Sequence, residues 1–261
     1  MIDFEKNNFL KILYFGIKYI FLLRPISYFN LYKEFFRISK KKQLIYKLWN
    51  GTQFLIRTGT SDILTLGEIY IRKIYEDKKI KENSTIIDLG AHIGFFSVWY
   101  AKKSNNIRVY SYEPSEENFK LLQKNIKINK LEKNVNAFKF AVSGKKGFVK
   151  FFLTGNEATN TLYGDPKKTK IVKVKSTTLK EIFKVNNIKT CDLLKVDIEG
   201  AEYELFRRTP KEILNKIKII NIEYHNGYEE LKQILENNGF VVTVKPAKYS
   251  SYTSSYIYAK K

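Results

Sequence analysis

The chain has 261 residues, enough for one large core or two small ones. A single cysteine excludes a disulfide framework and argues against a structural zinc site. The formal charge of +21 is large, but the excess is lysine spread along the whole chain. It therefore reads as composition with solvated lysines rather than as a nucleic-acid footprint, which clusters and carries more arginine. Asp3 and Glu5 come first and no small-residue cleavage site follows, so no cleavable signal is expected and a reducing cytoplasm is the simplest compartment.

Residues 1–50 differ from the rest. Phe9 to Leu23 is apolar and aromatic, broken by Lys11, Gly16 and Lys18 and stopped by Arg24-Pro25. It is shorter than the ~20 apolar residues that cross a bilayer, and its lysines disfavour a span. Two readings stay open. One is an amphipathic helix lying on a membrane surface, which would make the protein peripheral there. The other is a helix packed on the body of the domain, or on a second copy in a homo-oligomer. A second aromatic-rich stretch, Ile26 to Ile45, carries Tyr28, Tyr32, Phe35 and Phe36 and then Lys40-Lys41-Lys42. We take 1–50 as an N-terminal helical segment and 51–261 as the main domain.

Phe54–Arg57 reads as a short strand and Thr58–Asp62 as a turn, with Asp62 capping a helix over Ile63–Tyr75. From Thr85 strands and helices alternate. Strand Thr85–Leu89 precedes a helix from about Phe95 to Lys103. Strand Ile107–Tyr112 ends at Glu113-Pro114 and leads into a helix reaching Asn129, with Ser115 as its N-cap. Val135–Val142 is the third strand, and Gly147–Leu153 with Lys170–Lys175 reads as an extra hairpin around the loop Thr154–Pro166. Helix Leu179–Val185, strand Cys191–Val196, helix Ala201–Arg208, strand Ile217–Ile222 and helix Tyr228–Asn238 follow. Gly239 stops that helix, and Phe240–Val244 with Tyr256–Ala259 close the sheet. The pattern predicts an α/β fold: a seven-stranded, mostly parallel sheet with one antiparallel strand, helices on both faces, and an N-terminal helical appendage.

Such sheets place ligands at the carboxyl ends of their strands. Those ends carry Asp88, Glu113, Asp197 and Glu223. Asp88-x-Gly90-x-x-x-Gly94 has an acid where the nicotinamide-type fingerprint has its first glycine, and a carboxylate there would repel a pyrophosphate. It suits a cationic ligand such as S-adenosylmethionine. Free amides and a positive helix end at the turn, and glycines that let a ligand approach, complete the expectation. Glu113, 23 residues past Gly90, stands where a carboxylate takes both ribose hydroxyls. Ala91, His92, Phe95 and Pro114 would shape the pocket, and Ala141 and Val142 would flank the adenine. Asp88 either braces the turn or faces the methionine ammonium. Arg57 and Asp62 either close over the methionine end or pair with each other.

From Arg57 to Val244 the chain resembles the FkbM family of S-adenosylmethionine-dependent methyltransferases. The resemblance rests on Arg57-x-Gly59-Thr60-Ser61-Asp62 with Glu68, the glycine motif, Tyr112-Glu113-Pro114, Thr177-Thr178-Leu179, Glu223-Tyr224-His225 and, most specifically, Lys195-Val196-Asp197-Ile198-Glu199-Gly200-Ala201-Glu202. It implies the class I, Rossmann-like methyltransferase fold, S-adenosylmethionine as cofactor with Asp62 and Glu68 at its site, and O-methylation of sugars or other natural products. A hydroxyl acceptor benefits from a base, and His225 with Asp197 is the expected base or acceptor-orienting pair, supported by Glu199 and Glu223. The carboxylates would suit Mg2+, but the spacing does not demand it and no metal is expected. Base-amino methylation usually needs an Asn/Asp-Pro-Pro-aromatic turn where this chain has Asp197-Ile198-Glu199-Gly200, and Cys191 starts a strand, far from its active end. The expected acceptor is a sugar, glycan or related small-molecule hydroxyl, and nucleic acid is disfavoured. The alternatives are RNA 2′-O-methylation and a non-catalytic membrane-surface or complex-forming module with a retained cofactor fold.

Overall fold

The computed structural model describes residues 9–35, 42–153, 161–162, 169–245 and 255–261. Lys40, Lys41 and most of the predicted loop Thr154–Pro166 lie outside them. The first apolar stretch forms helix α1 (Phe9–Leu22), and α2 (Pro25–Phe35) starts on the proline, whose fixed φ suits a first turn. Strand β1 (Gln43–Lys47) then pairs antiparallel with β2 (Gln53–Arg57), burying Leu44 and Tyr46 against the core from one and Phe54 and Ile56 from the other. This hairpin straddles residue 50: among the described residues the N-terminal segment is helical only as far as residue 35.

The helix predicted over Ile63–Tyr75 is interrupted. It runs as α3 (Asp62–Gly67), passes into a π-helical turn at Glu68–Arg72, and stops at Lys73, which has φ 56°. Asp62 does not cap it, because its carboxylate is turned back to Arg57. Tyr19 of α1 donates its hydroxyl to the Ile63 carbonyl at 2.6 Å, and a Cβ on Gly67 would sit 2.4 Å from the Tyr19 hydroxyl oxygen. The glycine admits α1 here.

Next come β3 (Thr85–Leu89), α4 (Phe95–Ala101), β4 (Arg108–Tyr112), α5 (Glu116–Ile128) and β5 (Val135–Phe138). Ser115 caps α5 by accepting from the Asn118 amide, as its position predicted. The third strand is shorter than the apolar run Val135–Val142 suggested. The Phe140 amide folds back onto the Phe138 carbonyl, and Ala141–Val142 (β6) leave for a small second sheet. There β6 pairs parallel with β8 (Lys170–Thr177), which pairs antiparallel with β7 (Gly147–Leu153). The remaining elements are α6 (Leu179–Val185), β9 (Cys191–Val196), α7 (Glu202–Arg208), the short α8 (Lys211–Leu214), β10 (Ile217–Glu223), α9 (Glu229–Asn237), β11 (Val241–Lys245) and β12 (Tyr256–Lys260).

The main sheet has the order β11-β12-β10-β9-β3-β4-β5, with β12 antiparallel to its neighbours and the other strands sharing one direction. This is the seven-stranded architecture expected from the sequence. Successive residues of the central strands feed opposite cores: Ile86, Leu193 and Ile219 pack under α1, the hairpin, α4 and α5, while Ile87, Leu194 and Ile220 pack under α6, α7 and α9. That is why these strands are near-continuously apolar. Each such side chain fully buried contributes roughly 1.5–3 kcal/mol. Cys191 is one of these buried groups, its thiol pushed up by burial. Strand order reverses between β3 and β9, so a ligand crevice belongs at their carboxyl ends.

Candidate active site

The glycine turn at the end of β3 is held from below and beside. Asp88 is fully buried; Ser97 donates its hydroxyl to Oδ2 at 2.5 Å, and the Lys195 ammonium lies 3.3 Å from Oδ1. Burial pushes the Asp88 carboxyl up against the pull of these partners. Asp88 therefore braces the turn. Lys195, buried in β9, also donates to the Gly90 carbonyl at 2.6 Å and sits 3.4 Å from Asp197. Burial opposes its charge, but Asp88, Asp197 and Glu223 outweigh that and hold its pKa above the usual value.

The glycines also answer a need within the fold. A Cβ on Gly90, at φ 78°, would lie 1.7 Å from the Asp197 carbonyl oxygen, and one on Gly94, at φ 96°, 2.7 Å from Leu122 of α5. Both glycines let the protein approach itself. Nor are the turn amides free: Gly90 and Ala91 donate to the Tyr112 carbonyl, each at 3.0 Å, and His92 to Glu113 at 2.8 Å. Amides occupied in this way do not cradle a phosphate.

Glu113, buried at the end of β4, accepts from the His92 amide on one oxygen and from the Ser115 amide and Asn118 side chain on the other. Burial raises its pKa despite these bonds. A carboxylate has about four acceptor positions, so room for a ligand hydroxyl remains. Behind the turn, Arg57 grips Asp62 through Nε (2.9 Å) and Nη2 (2.8 Å), and His92 Nε2 is 3.2 Å from Asp62 and 3.0 Å from Arg57. Burial would raise the Asp62 carboxyl, but the hydrogen bonds and charges of His92 and Arg57 hold it well below the usual range. Of the two readings of Arg57 and Asp62, mutual pairing is the one observed. Arg57 Nη1 and His92 Nδ1 are buried with no hydrogen-bond partner among the described residues. Buried orphan nitrogens of this kind fit a site that a ligand completes.

On the other side of the crevice the acids are crowded. Glu199 sits in the left-handed region at φ 53°, followed by Gly200 at φ 101°. His225, past the end of β10, places Nδ1 3.1 Å from Glu202 and Nε2 3.3 Å from Glu199. The fully buried Glu202 accepts through the same oxygen from the Ile198 and Gly200 amides, both at 3.2 Å. Burial and the neighbouring Asp197 push Glu199 up to about 8. Burial works against the His225 imidazolium, yet Glu202, Glu199 and Asp197 raise its pKa to about 9. Glu223 accepts from the buried Tyr75 hydroxyl at 3.0 Å. Glu68, on the π-helical turn, is raised to about 7 by burial. One ligand atom each from Asp197, Glu199 and His225 lies within 4.8 Å of the others, a spacing a divalent cation would accept although the sequence called for none.

A small cleft of about 40 Å³ lies between these groups, lined by Glu68, Gly90, Ala91, His92, Phe95, Asp197 and Glu223 together with Tyr75 and Lys195. Asp62, Asp88, Gly94, Glu113, Pro114, Glu199 and His225 do not line it. Ala141 and Val142 are buried in the second sheet, paired with Ser176 and Thr177 of β8. Sequence reasoning passed over Lys195, Glu202 as the anchor of His225, and Tyr75. A lysine inside the otherwise apolar Leu193-Leu194-Lys195-Val196 was the available signal for the first, since a buried ammonium needs carboxylates.

The profile of the methyltransferase FkbM domain matches residues 88–242, from the bracing aspartate to β11. Two fungal proteins are similar over most of the chain. Methyltransferase 1 of Beauveria bassiana is 25% identical over 201 residues, 68% of this chain and 80% of its own length. Methyltransferase sdnD of Sordaria araneosa is 26% identical over 227 residues, 74% of this chain and 88% of its own. Among solved structures, the FkbM methyltransferase of Methylobacillus flagellatus superposes with a TM-score of 0.51 at 15% identity, over 74% of this chain and 47% of the other, a likeness of fold. Methyltransferases of such families use S-adenosylmethionine in general. The matched span covers more than half of the chain and includes the glycine turn, Glu113, the acid cluster and His225; the chain belongs to the FkbM methyltransferase family.

Proposed function

We propose that the protein is an S-adenosylmethionine-dependent O-methyltransferase acting on a hydroxyl of a sugar, glycan or related natural product. The observation that carries this reading is the histidine-carboxylate pair: His225 Nδ1 is pinned by the buried Glu202 at 3.1 Å, which leaves Nε2 as the atom that handles a proton beside Glu199. Glu113 would take the ribose hydroxyls, and the orphan nitrogens of Arg57 and His92 would receive the methionine carboxylate. When bound, the cofactor supplies a methyl group on a positively charged sulfur. The chain's own residues then orient the acceptor and take its proton. Asp197, Glu199 and Glu223 accept hydrogen bonds from a polyhydroxyl acceptor and aim one oxygen at the methyl group. With the methyl group going from sulfur to the acceptor oxygen, the hydroxyl proton would pass to neutral His225 Nε2 or ionised Glu199. The reaction releases S-adenosylhomocysteine and the methyl ether.

The same carboxylates argue against an RNA acceptor, because they would repel the phosphates flanking a 2′-hydroxyl. The cleft is small, about 40 Å³. Isothermal titration with S-adenosylmethionine and S-adenosylhomocysteine, beside a Glu113→Ala variant, tests the cofactor half. Methyl transfer from labelled donor to glycan and RNA panels tests the acceptor half. A folded protein that binds neither ligand would sink the enzyme reading in favour of a non-catalytic module, and transfer to RNA alone would replace the acceptor.

A further inference from the structure

We propose that α1, α2 and the tip of the first hairpin form a docking face for the surface of an anionic lipid bilayer. The face is apolar on the outside. α1 turns Tyr19 into the core, Leu23 just past its end follows, and Ile17, Ile20 and Phe21 are left exposed; α2 packs Tyr28 and Leu31 inward and exposes Ile26, Phe29 and Tyr32. Phe21 is 77% exposed and Ile26 63%, values at which a large apolar side chain is in water rather than at the margin of a core. Trp49 at the hairpin tip adds an exposed indole whose Nε1 donates to the Ile20 carbonyl, so it is tied to α1. A contiguous group of such residues marks an interaction surface, whereas scattered ones do not.

Charge selects the occupant. Between residues 9 and 50 the sequence has nine lysines and arginines and one acid. Lys33 lies 4.4 Å from the centre of the Phe29 ring, so cation and aromatic share one patch. Aliphatic residues to enter the acyl boundary, aromatic rings for the headgroup level and cations for anionic lipid are the parts of an interfacial helix. A second copy of the chain fits less well, because it would bring one +21 body against another. Crossing the bilayer does not arise: α1 has 14 residues, about 21 Å at helical rise against a core of ~30 Å, and no helix among the described residues is long and apolar enough to span. The position also matters. Tyr19 holds α1 to Ile63 and Gly67, one residue before Glu68 on the rim of the cleft.

The test is sedimentation of the full chain with vesicles of phosphatidylcholine alone and with added phosphatidylglycerol. The wild type should bind the anionic vesicles, lose binding as salt is raised, and bind neutral vesicles weakly. The triple variant Phe21→Ser, Ile26→Ser, Phe29→Ser should bind about tenfold or more weakly, with an unchanged circular dichroism spectrum. In the unmodified protein, a quencher-labelled lipid should quench Trp49. Failure of the wild type to bind, or equal binding by the folded triple variant, would overturn the proposal; the latter would assign binding to the dispersed lysines. A dimer that the triple variant abolishes would overturn it in favour of self-association.

Discussion

The two walls of the crevice are built from the same residue type to opposite effect. On the β3–β4 side, Asp62, Asp88 and Glu113 are buried and each is matched by a cation, hydroxyl or amide. On the β9–β10 side, Asp197, Glu199, Glu202 and Glu223 crowd around two cations, Lys195 and His225, and Glu199 and His225 both hold protons more tightly than usual. Matched carboxylates make a fixed surface for recognition. Carboxylates crowded around shared cations make a proton reservoir. Perturbed ionisation of the second kind is what proton transfer requires, and it lies on the wall that an acceptor would meet.

Removing the proton-handling group should have the largest effect. His225→Gln should lower kcat by about 10²–10⁴-fold with little change in S-adenosylmethionine affinity, read by single-turnover assay and titration. In the wild type, kcat/KM should climb as pH rises from 7 toward 9, because His225 must lose its proton to act as a base; a flat profile would remove the histidine from the chemistry. Gly90→Ala strikes the joint between the walls. With the new Cβ 1.7 Å from the Asp197 carbonyl, urea unfolding should report a loss of about 3 kcal/mol or more. Glu113→Ala acts on the matched wall alone and should weaken S-adenosylmethionine roughly 100-fold, while any acceptor affinity is preserved.

The β9–β10 wall also gives stability a pH dependence. The folded pKa of His225 lies above its unfolded value of 6.5, so its contribution is full below about pH 6.5 and is lost as pH rises through about 9. Glu199, raised from 4.5 to about 8, acts in the same sense: its contribution is present below 4.5 and lost through 8. The melting temperature should therefore fall between pH 6.5 and 9, and less steeply in Glu202→Gln, which removes the charge opposite His225 Nδ1. The smallest expected effect is that of a chelator. His225 Nε2 already lies 3.3 Å from Glu199, so EDTA should leave the rate unchanged; activity lost to EDTA and restored by Mg2+ would reassign Asp197, Glu199 and His225 as metal ligands.

Much of this was legible in the chain itself. Strands whose neighbours feed two cores are apolar without interruption, so Thr85–Leu89 and Cys191–Val196 could be delimited to the residue. Ser115 announces its helix by side-chain capping. The misreadings have physical sources. Val135–Val142 is evenly apolar, and nothing local marks the backbone fold at Phe138–Phe140 that sends Ala141 and Val142 to another sheet. Asp62 looks like a cap because capping is a local pattern, whereas its true partners are Arg57 across the turn and His92 thirty residues on. The strand-end acids could be picked out, but which of them are neutralised could not, because that depends on Lys195 and on backbone amides brought in by the fold.

The near-contact between Gly90 and the Asp197 carbonyl also governs how the crevice can widen. Two backbones that meet without a side chain between them leave no slack, and the Lys195 ammonium clamps the same seam. The floor formed by β3 and β9 must then behave as a single plate, carrying the recognition wall and the proton reservoir at a fixed separation. Any breathing that admits a cofactor falls to the opposite jaw, where α3 gives way to the π-helical turn bearing Glu68. That jaw rests on Tyr19, so whatever engages α1 would have leverage on the entrance.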